Sequence, residues 1–208
     1  MASLKDVIII SAGGHGRSTL DVFREAGNFA IAGFLDDFLP TGTRIFNIPV
    51  LGSFDEVGKF AASYDFVVGR GKIAQSTERK ELAERCWSAG GKLVAEMSPL
   101  AYVSGFSALG EGTVIHHGAT VNIGVEVGRN CIINSHALVD HDTQIGDHSH
   151  VATGAIVNGG CVIGENSFIG SGAIIFQGVV LPAGTVVPAG AAVKRSLGDT
   201  VPKGSRRV

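Results

Sequence analysis

The residue types most able to do chemistry converge on one histidine. His141 stands between Asp140 and Asp142. A carboxylate beside an imidazole raises its basicity and fixes its tautomer, which gives a general base poised near neutral pH. His150 follows nine residues later, and six of the seven histidines (His116, His117, His136, His141, His148, His150) fall between Val103 and Val193. That clustering exceeds what scattered surface histidines would give. On spacing alone, His141 is the candidate base.

A second candidate is the turn Ser11-Ala-Gly-Gly-His-Gly16, after the aliphatic run Val7–Ile10 and before a helical pattern. A strand, a glycine turn and a helix present backbone N–H groups and a positive dipole end to phosphate. The dinucleotide fingerprint wants Gly where Ser11 stands, so the match is partial. Asp36 and Asp37 close the next strand, where a carboxylate reaches a ribose or a base. The unit holds about 95 residues, roughly half a full dinucleotide fold, which suits a nucleotide-linked substrate better than a nicotinamide cofactor. A third candidate is the set of small corners Gly159-Gly160, Gly170-Ser-Gly172 and Ala189-Gly-Ala-Ala192, which leave backbone open to a long thin ligand.

The elements that position these residues follow from two periods. From Val103 to Val193 an aliphatic residue recurs every six positions, and a small residue lies four after each one (Ala119, Cys131, Thr143, Ala155). That is the signature of a hexapeptide β-helix, three hexads to a triangular coil and so about five coils. The N-terminal part alternates strands and helices: strand 7–10, helix 17–26, strand 30–35, an extended edge segment 44–51, a helix from Ser53 to Phe60 with Glu56 completing a capping box, strand 66–68, a longest helix 73–88 and a strand 92–95. The expected fold is an α/β domain with a short parallel sheet followed by a parallel β-helix. The boundary is expected at Ser98-Pro99, giving domains 1–97 and 98–208. The basic tail from Lys194 is expected to cover or flank the far end of the stack.

Composition narrows the class. Nineteen acids against 17 Lys plus Arg leave no field to draw nucleic acid or anionic lipid. No stretch reads as a membrane span or signal peptide. Cys86, Cys131 and Cys161 have no metal spacing and read as reduced core thiols of a cytoplasmic protein.

The segments SAGGHGR (11–17), FLDD (34–37), HDTQIGDHSHVATGA (141–155) and CVIGENSFIGSGA (161–173) resemble the left-handed β-helix nucleotide-sugar acetyltransferases with an N-terminal α/β domain. Members act on sialic acid, on the bacillosamine-pathway sugar and on GDP-perosamine, and the pattern is nearest the last. The resemblance implies the left-handed coil, a homotrimer with active sites between subunits, and acetyl-CoA as co-substrate. It implies His141 as catalytic base supported by Asp142, and His150, Gly159, Ser171 and Ala189 against CoA. It places Gly14, His15, Gly16 and Arg17 at the diphosphate, and Asp36 and Asp37 at the nucleoside. Ser11 replaces the family's usual Gly, Met97-Ser-Pro99 replaces a His-Pro, and Val201-Pro-Lys-Gly-Ser departs from the usual close.

The expected activity is acetyl transfer to the 4-amino group of a nucleotide-linked 4-amino-4,6-dideoxy sugar, GDP-perosamine first, for surface polysaccharide synthesis. The alternatives are a sugar O-acetyltransferase of the sialic acid type, UDP- or dTDP-linked acceptors, and a non-catalytic scaffold. A zinc site like that of the gamma carbonic anhydrases is disfavoured. His136 and His141 have that family's five-residue spacing, but Leu100 stands where its third histidine would be. No metal is expected.

Overall fold

The computed structural model describes residues 5–197. The expected tail from residue 198 onward therefore lies outside the described residues, as does Val201-Pro-Lys-Gly-Ser.

Strand β1 (Lys5–Ile10) is an interior strand of the N-terminal sheet, with its aliphatics buried on both faces. It pairs in parallel with β2 (Phe29–Leu35) on one side and β5 (Asp65–Val68) on the other. Beyond β2 lie β4 (Ile48–Gly52) and the two-residue edge β3 (Arg44–Ile45). The segment 44–51, expected as one edge strand, is instead a hairpin. Phe46 and Asn47 both take left-handed φ (47° and 68°), the geometry of a tight reversing turn.

Helix α1 (Gly14–Ala26) begins three residues earlier than expected, so the glycine turn supplies its first turn. A Cβ on Gly16 would lie 1.9 Å from the Ser11 carbonyl oxygen, so only glycine lets the helix start this close to the strand end. Ser53 does open a helical segment, its N–H donating to Glu56 Oε2 at 3.1 Å. The segment starts as a 3-10 turn and continues as the single-turn α2 (Val57–Phe60). Helix α3 covers Glu78–Ser88 rather than 73–88 and is shorter than α1. Ala74, with φ at 49°, keeps the preceding residues out of helix. The expected strand 92–95 is reduced to a single bridge between Leu93 and Phe66.

The β-helix starts with Glu96–Met97, which pairs with Val114–Ile115. Its strands are two residues long and stack into three parallel sheets, the faces of a left-handed triangular prism. Face one runs from Glu96–Met97 to Val186–Val187, face two from Tyr102–Val103 to Ala192–Val193, and face three from Ala108–Leu109 to Val180–Leu181. Both sequence columns meet in the core: Ile115, Val121 and Val139 with Ala119, Cys131 and Ala155. At Thr113, Thr143, Ser149 and Ser167 the small residue's hydroxyl donates to a backbone carbonyl of the next coil. Thr143 Oγ1 to Asn158 O is 3.1 Å and Ser149 Oγ to Gly164 O is also 3.1 Å. The N-terminal domain packs on face one, where Val114 joins the buried cluster of Val7, Phe23 and Val94.

Candidate active site

A third column, not expected from the sequence, shapes the edges of the prism. Gly112, Gly118, Gly124, Asn130, His136, Asp142, His148 and Gly154 all have left-handed φ, as do Gly160 to Gly190 at the same spacing with Asn166 among them. Glycine takes this conformation freely, and asparagine, aspartate and histidine are the other residues found there most often. Asp142 (φ 57°) is the one aspartate in the column.

The left-handed corner sets Asp142 against its neighbour. His141 Nδ1 and Asp142 Oδ2 are 2.9 Å apart, on the edge between faces two and three. Asp142 holds the proton of Nδ1–H and leaves Nε2 as the free base. The imidazole pKa is raised, first by the Asp142 hydrogen bond and then by the charge of Asp140. Asp140 is fixed in turn: its Oδ1 accepts from the His141 N–H (2.8 Å) and from Asn122 Nδ2 (2.7 Å). Two glycines make room for the pair. A Cβ on Gly159 would sit 2.5 Å from His141 Nε2, and one on Gly124 would sit 2.6 Å from Asp142 Oδ1. The His141 side chain is half exposed, with exposed Ile123 at the same place one coil earlier and exposed Phe176 on the same edge.

His150 lies elsewhere, on face one under the N-terminal domain, and is only 6% exposed. Its Nδ1–H donates to the Lys72 carbonyl at 2.8 Å, and Nε2 accepts from Asn134 Nδ2 at 3.2 Å. The chain does not bring His141 and His150 together. His150 belongs instead to a buried cluster, its ring centroid 6.1 Å from His15, which is 5.0 Å from His116. Burial holds all three neutral, with His116 pushed down to about 3 and His150 to about 4. The Nε2 atoms of His15 and His116 are buried without a hydrogen-bond partner. Gly159 shares the His141 edge one coil on, whereas Ser171 and Ala189 are exposed on the edge between faces one and two. His136 also lies on that second edge, apart from His141, and the described residues contain no cluster able to hold a metal ion.

The glycine turn sits at the carboxyl ends of β1 and β5, where the strand order reverses. Helix α1 starts there without a side-chain cap, and Gly13 and Gly14 are exposed, so its first N–H groups face outward. Ser11, in the position that favours glycine, takes φ 89°. Arg17 Nε donates to the Ala12 carbonyl at 3.1 Å. Asp36 is buried, and its two oxygens accept from Ala12 N (2.8 Å) and Phe38 N (2.9 Å), so it braces the turn from below. Asp37 is exposed and, with Arg70, Phe54 and Leu82, lines a cavity of about 210 Å³. Sequence reading missed Lys72 and Arg79, both buried between the two domains. Lys72 Nζ donates to Asn166 Oδ1 at 2.7 Å, and burial lowers its pKa. No repeat or motif marks either residue.

Comparison with known proteins agrees with this geometry. Residues 6–86 match the family model described as PglD N-terminal domain, and residues 142–177 match bacterial transferase hexapeptide (six repeats). The acetyltransferase domain of PglB from Neisseria gonorrhoeae is 29% identical with a TM-score of 0.85, and the match covers 94% of each chain. PerB from Caulobacter crescentus, solved with CoA and GDP-perosamine, is 30% identical with a TM-score of 0.84, over 96% of this chain and 93% of that one. WeeI from Acinetobacter baumannii shares the fold at 24% identity, with a TM-score of 0.62 over 91% of this chain and 96% of that one. A comparison with curated protein sequences finds no match. No helix among the described residues is long and apolar enough to cross a membrane.

Proposed function

The chain belongs to the hexapeptide-repeat acetyltransferases with a PglD-type N-terminal domain, and we propose from that premise that it acetylates the 4-amino group of a nucleotide-linked 4-amino-4,6-dideoxy sugar. The observation that carries the reading is His141, with Nδ1–H held by Asp142 and Nε2 free above Gly159. In the reaction the sugar amine attacks the thioester carbonyl and His141 Nε2 takes the proton the amine sheds. The carbon–sulfur bond then breaks, and the CoA thiolate leaves and is protonated from the imidazolium. General-base assistance of this kind is worth roughly 10²–10⁴-fold.

The turn at Gly14, His15 and Gly16 receives the diphosphate at the uncapped start of α1. We assign Asp37 to the nucleoside because it is exposed at the cavity beside Arg70, while Asp36 and Arg17 shape the turn. The pantetheine lies along small corners at Gly159, Ser171 and Ala189; His150, with its ring nitrogens held by Lys72 and Asn134 beneath the N-terminal domain, is not assigned to it. These groups lie on different edges of one prism, and exposed Ile123 and Phe176 flank His141. Both features support a homotrimer in which one copy's His141 edge faces another copy's acceptor site. A cytoplasmic location goes with this proposal, because acetyl-CoA and nucleotide sugars are the substrates it assigns. GDP-perosamine is the first acceptor to try, since PerB was solved with it.

The test is thiol release from acetyl-CoA with GDP-, UDP- and dTDP-linked 4-amino sugars beside sialic acid. Release with an amino sugar is expected. Release with sialic acid alone would move the assignment to O-acetylation, and release with none would overturn it.

A further inference from the structure

Arg79 is 2% exposed, and no carboxylate pairs with it among the described residues. A buried guanidinium without a counterion is costly, so its surroundings must compensate by hydrogen bonding. They are backbone carbonyls from both domains. Nη1 donates to Val68 O and to Arg70 O (2.9 Å) at the end of β5. Nε donates to Asn130 O at 3.0 Å, and Nη2 reaches Gly112 O at 3.5 Å, both on the β-helix. The clasp is reciprocal, because Asn130 Nδ2 donates back to Arg79 O at 3.2 Å. Burial lowers the guanidinium pKa to about 9, which leaves it charged at neutral pH.

The strip it clamps, Gly69–Lys72, forms the wall opposite the glycine turn. A Cβ on Gly69 would lie 2.8 Å from Gly16 Cα, and one on Gly71 would lie 3.3 Å from His15 Cβ. The strip ends at Lys72, whose carbonyl holds His150. We propose that Arg79 is a positioning residue: by locking Gly69–Lys72 to the β-helix it sets the spacing between the nucleotide-binding turn and the face that carries His150. This rests on the proposed site of nucleotide binding. It predicts that Arg79 governs recognition of the nucleotide-linked acceptor and leaves acetyl-CoA binding alone.

The experiment compares wild type, Arg79→Met and Arg79→Lys in acetyl transfer, with KM measured separately for the nucleotide sugar and acetyl-CoA. Amide hydrogen exchange at Gly69–Lys72 is followed in parallel. Arg79→Met should raise the nucleotide-sugar KM by tenfold or more, hold the acetyl-CoA KM within twofold and speed exchange across the strip. Arg79→Lys keeps the charge but not the fork and should fall between. If Arg79→Met does not fold, the lysine variant carries the same test.

Histidine NMR gives a readout that needs no turnover. The charged and titratable groups facing the cluster are Arg79, Lys72 and His117. Loss of the Arg79 charge should let His15, His116 and His150 titrate at higher pH, which the lysine variant should not do. Unchanged exchange and unchanged titration, or equal rises in both KM values, would overturn the assignment. Absence of transfer by the wild type would instead sink the functional reading, leaving exchange and titration to judge Arg79.

Discussion

Acid should loosen the joint between the two domains, through the buried histidines. Unfolded histidines titrate near the ordinary value of 6.5, whereas in the fold His116 lies at about 3 and His150 at about 4. A group whose folded pKa is depressed supports the fold above its unfolded pKa. That support drains away as pH falls toward the folded value, here from 6.5 down to 3–4. At pH 5 the unfolded chain has taken up the proton and the folded chain has not. The penalty is about 1.5 pKa units times 1.36, or ~2 kcal/mol for each histidine. For a chain of this length that corresponds to about 4–8 °C in Tm per histidine. The assay is thermal unfolding at pH 7.5 and pH 5 for wild type and His116→Phe. Phenylalanine conserves the ring beside His15, whose centroid lies 5.0 Å from that of His116 at a tilt of 48°. The wild type should lose about 4–8 °C more than the variant over that interval. Equal losses would show that His116 is not buried neutral against the N-terminal domain.

His141→Asn should lower kcat by roughly 10²–10⁴-fold with acetyl-CoA affinity nearly intact, measured by steady-state kinetics and calorimetry; wild-type turnover would remove His141 as base. Asp142→Asn removes the main cause of the raised His141 pKa, so the acid limb of kcat/KM should move to lower pH. An unmoved limb would detach Asp142 from the base. Gly159→Ala puts a Cβ 2.5 Å from His141 Nε2. The ring must turn, and kcat should drop on the order of 10²-fold with the Tm held. Ser11→Gly relieves a left-handed φ of 89° and should stabilise the chain by ~1 kcal/mol, read as a rise in Tm.

The β-helix was legible because every coil repeats the same demand. An inward position at Val121, Val139 or Val157 accepts only an apolar residue, so the period survives in the sequence. The left-handed column was legible in principle, since Gly112 to Gly190 recur at the same interval. It went unread because Asn130, His136, Asp142, His148 and Asn166 interrupt the glycines. Those interruptions include the residue that supports His141, so the chemistry hides where the pattern weakens. The ladder begins one rung earlier than expected because Ser98-Pro99 reads as a domain boundary, although Met97 falls in phase with Val103. Asp36 read as a ligand for a nucleoside, yet its oxygens are taken by Ala12 and Phe38. Composition cannot distinguish an acid that braces a turn from one that faces a ligand. Arg79 and Lys72 were illegible for a related reason: on a helix or in a loop a cation reads as solvated, and only packing against the prism buries it.

The coil spacing also governs how such a chain can change length. Thr120 pairs with Leu138 and Leu138 with Ile156, so neighbours across the stack are always 18 residues apart. A single residue inserted within a strand, where it cannot loop out at a corner, would put every later edge out of phase, with apolar side chains turned to water and left-handed corners filled by the wrong residues. Duplicating one whole coil would restore the phase and lengthen the prism by about 4.8 Å. Growth by gene duplication is therefore quantised in steps of one coil. A coil added between Gly159 and Ser171 would leave the His141 corner untouched while carrying Ser171 and Ala189 one step further away. The chain thus contains a ruler, on which the length of an acyl carrier could be matched by counting coils.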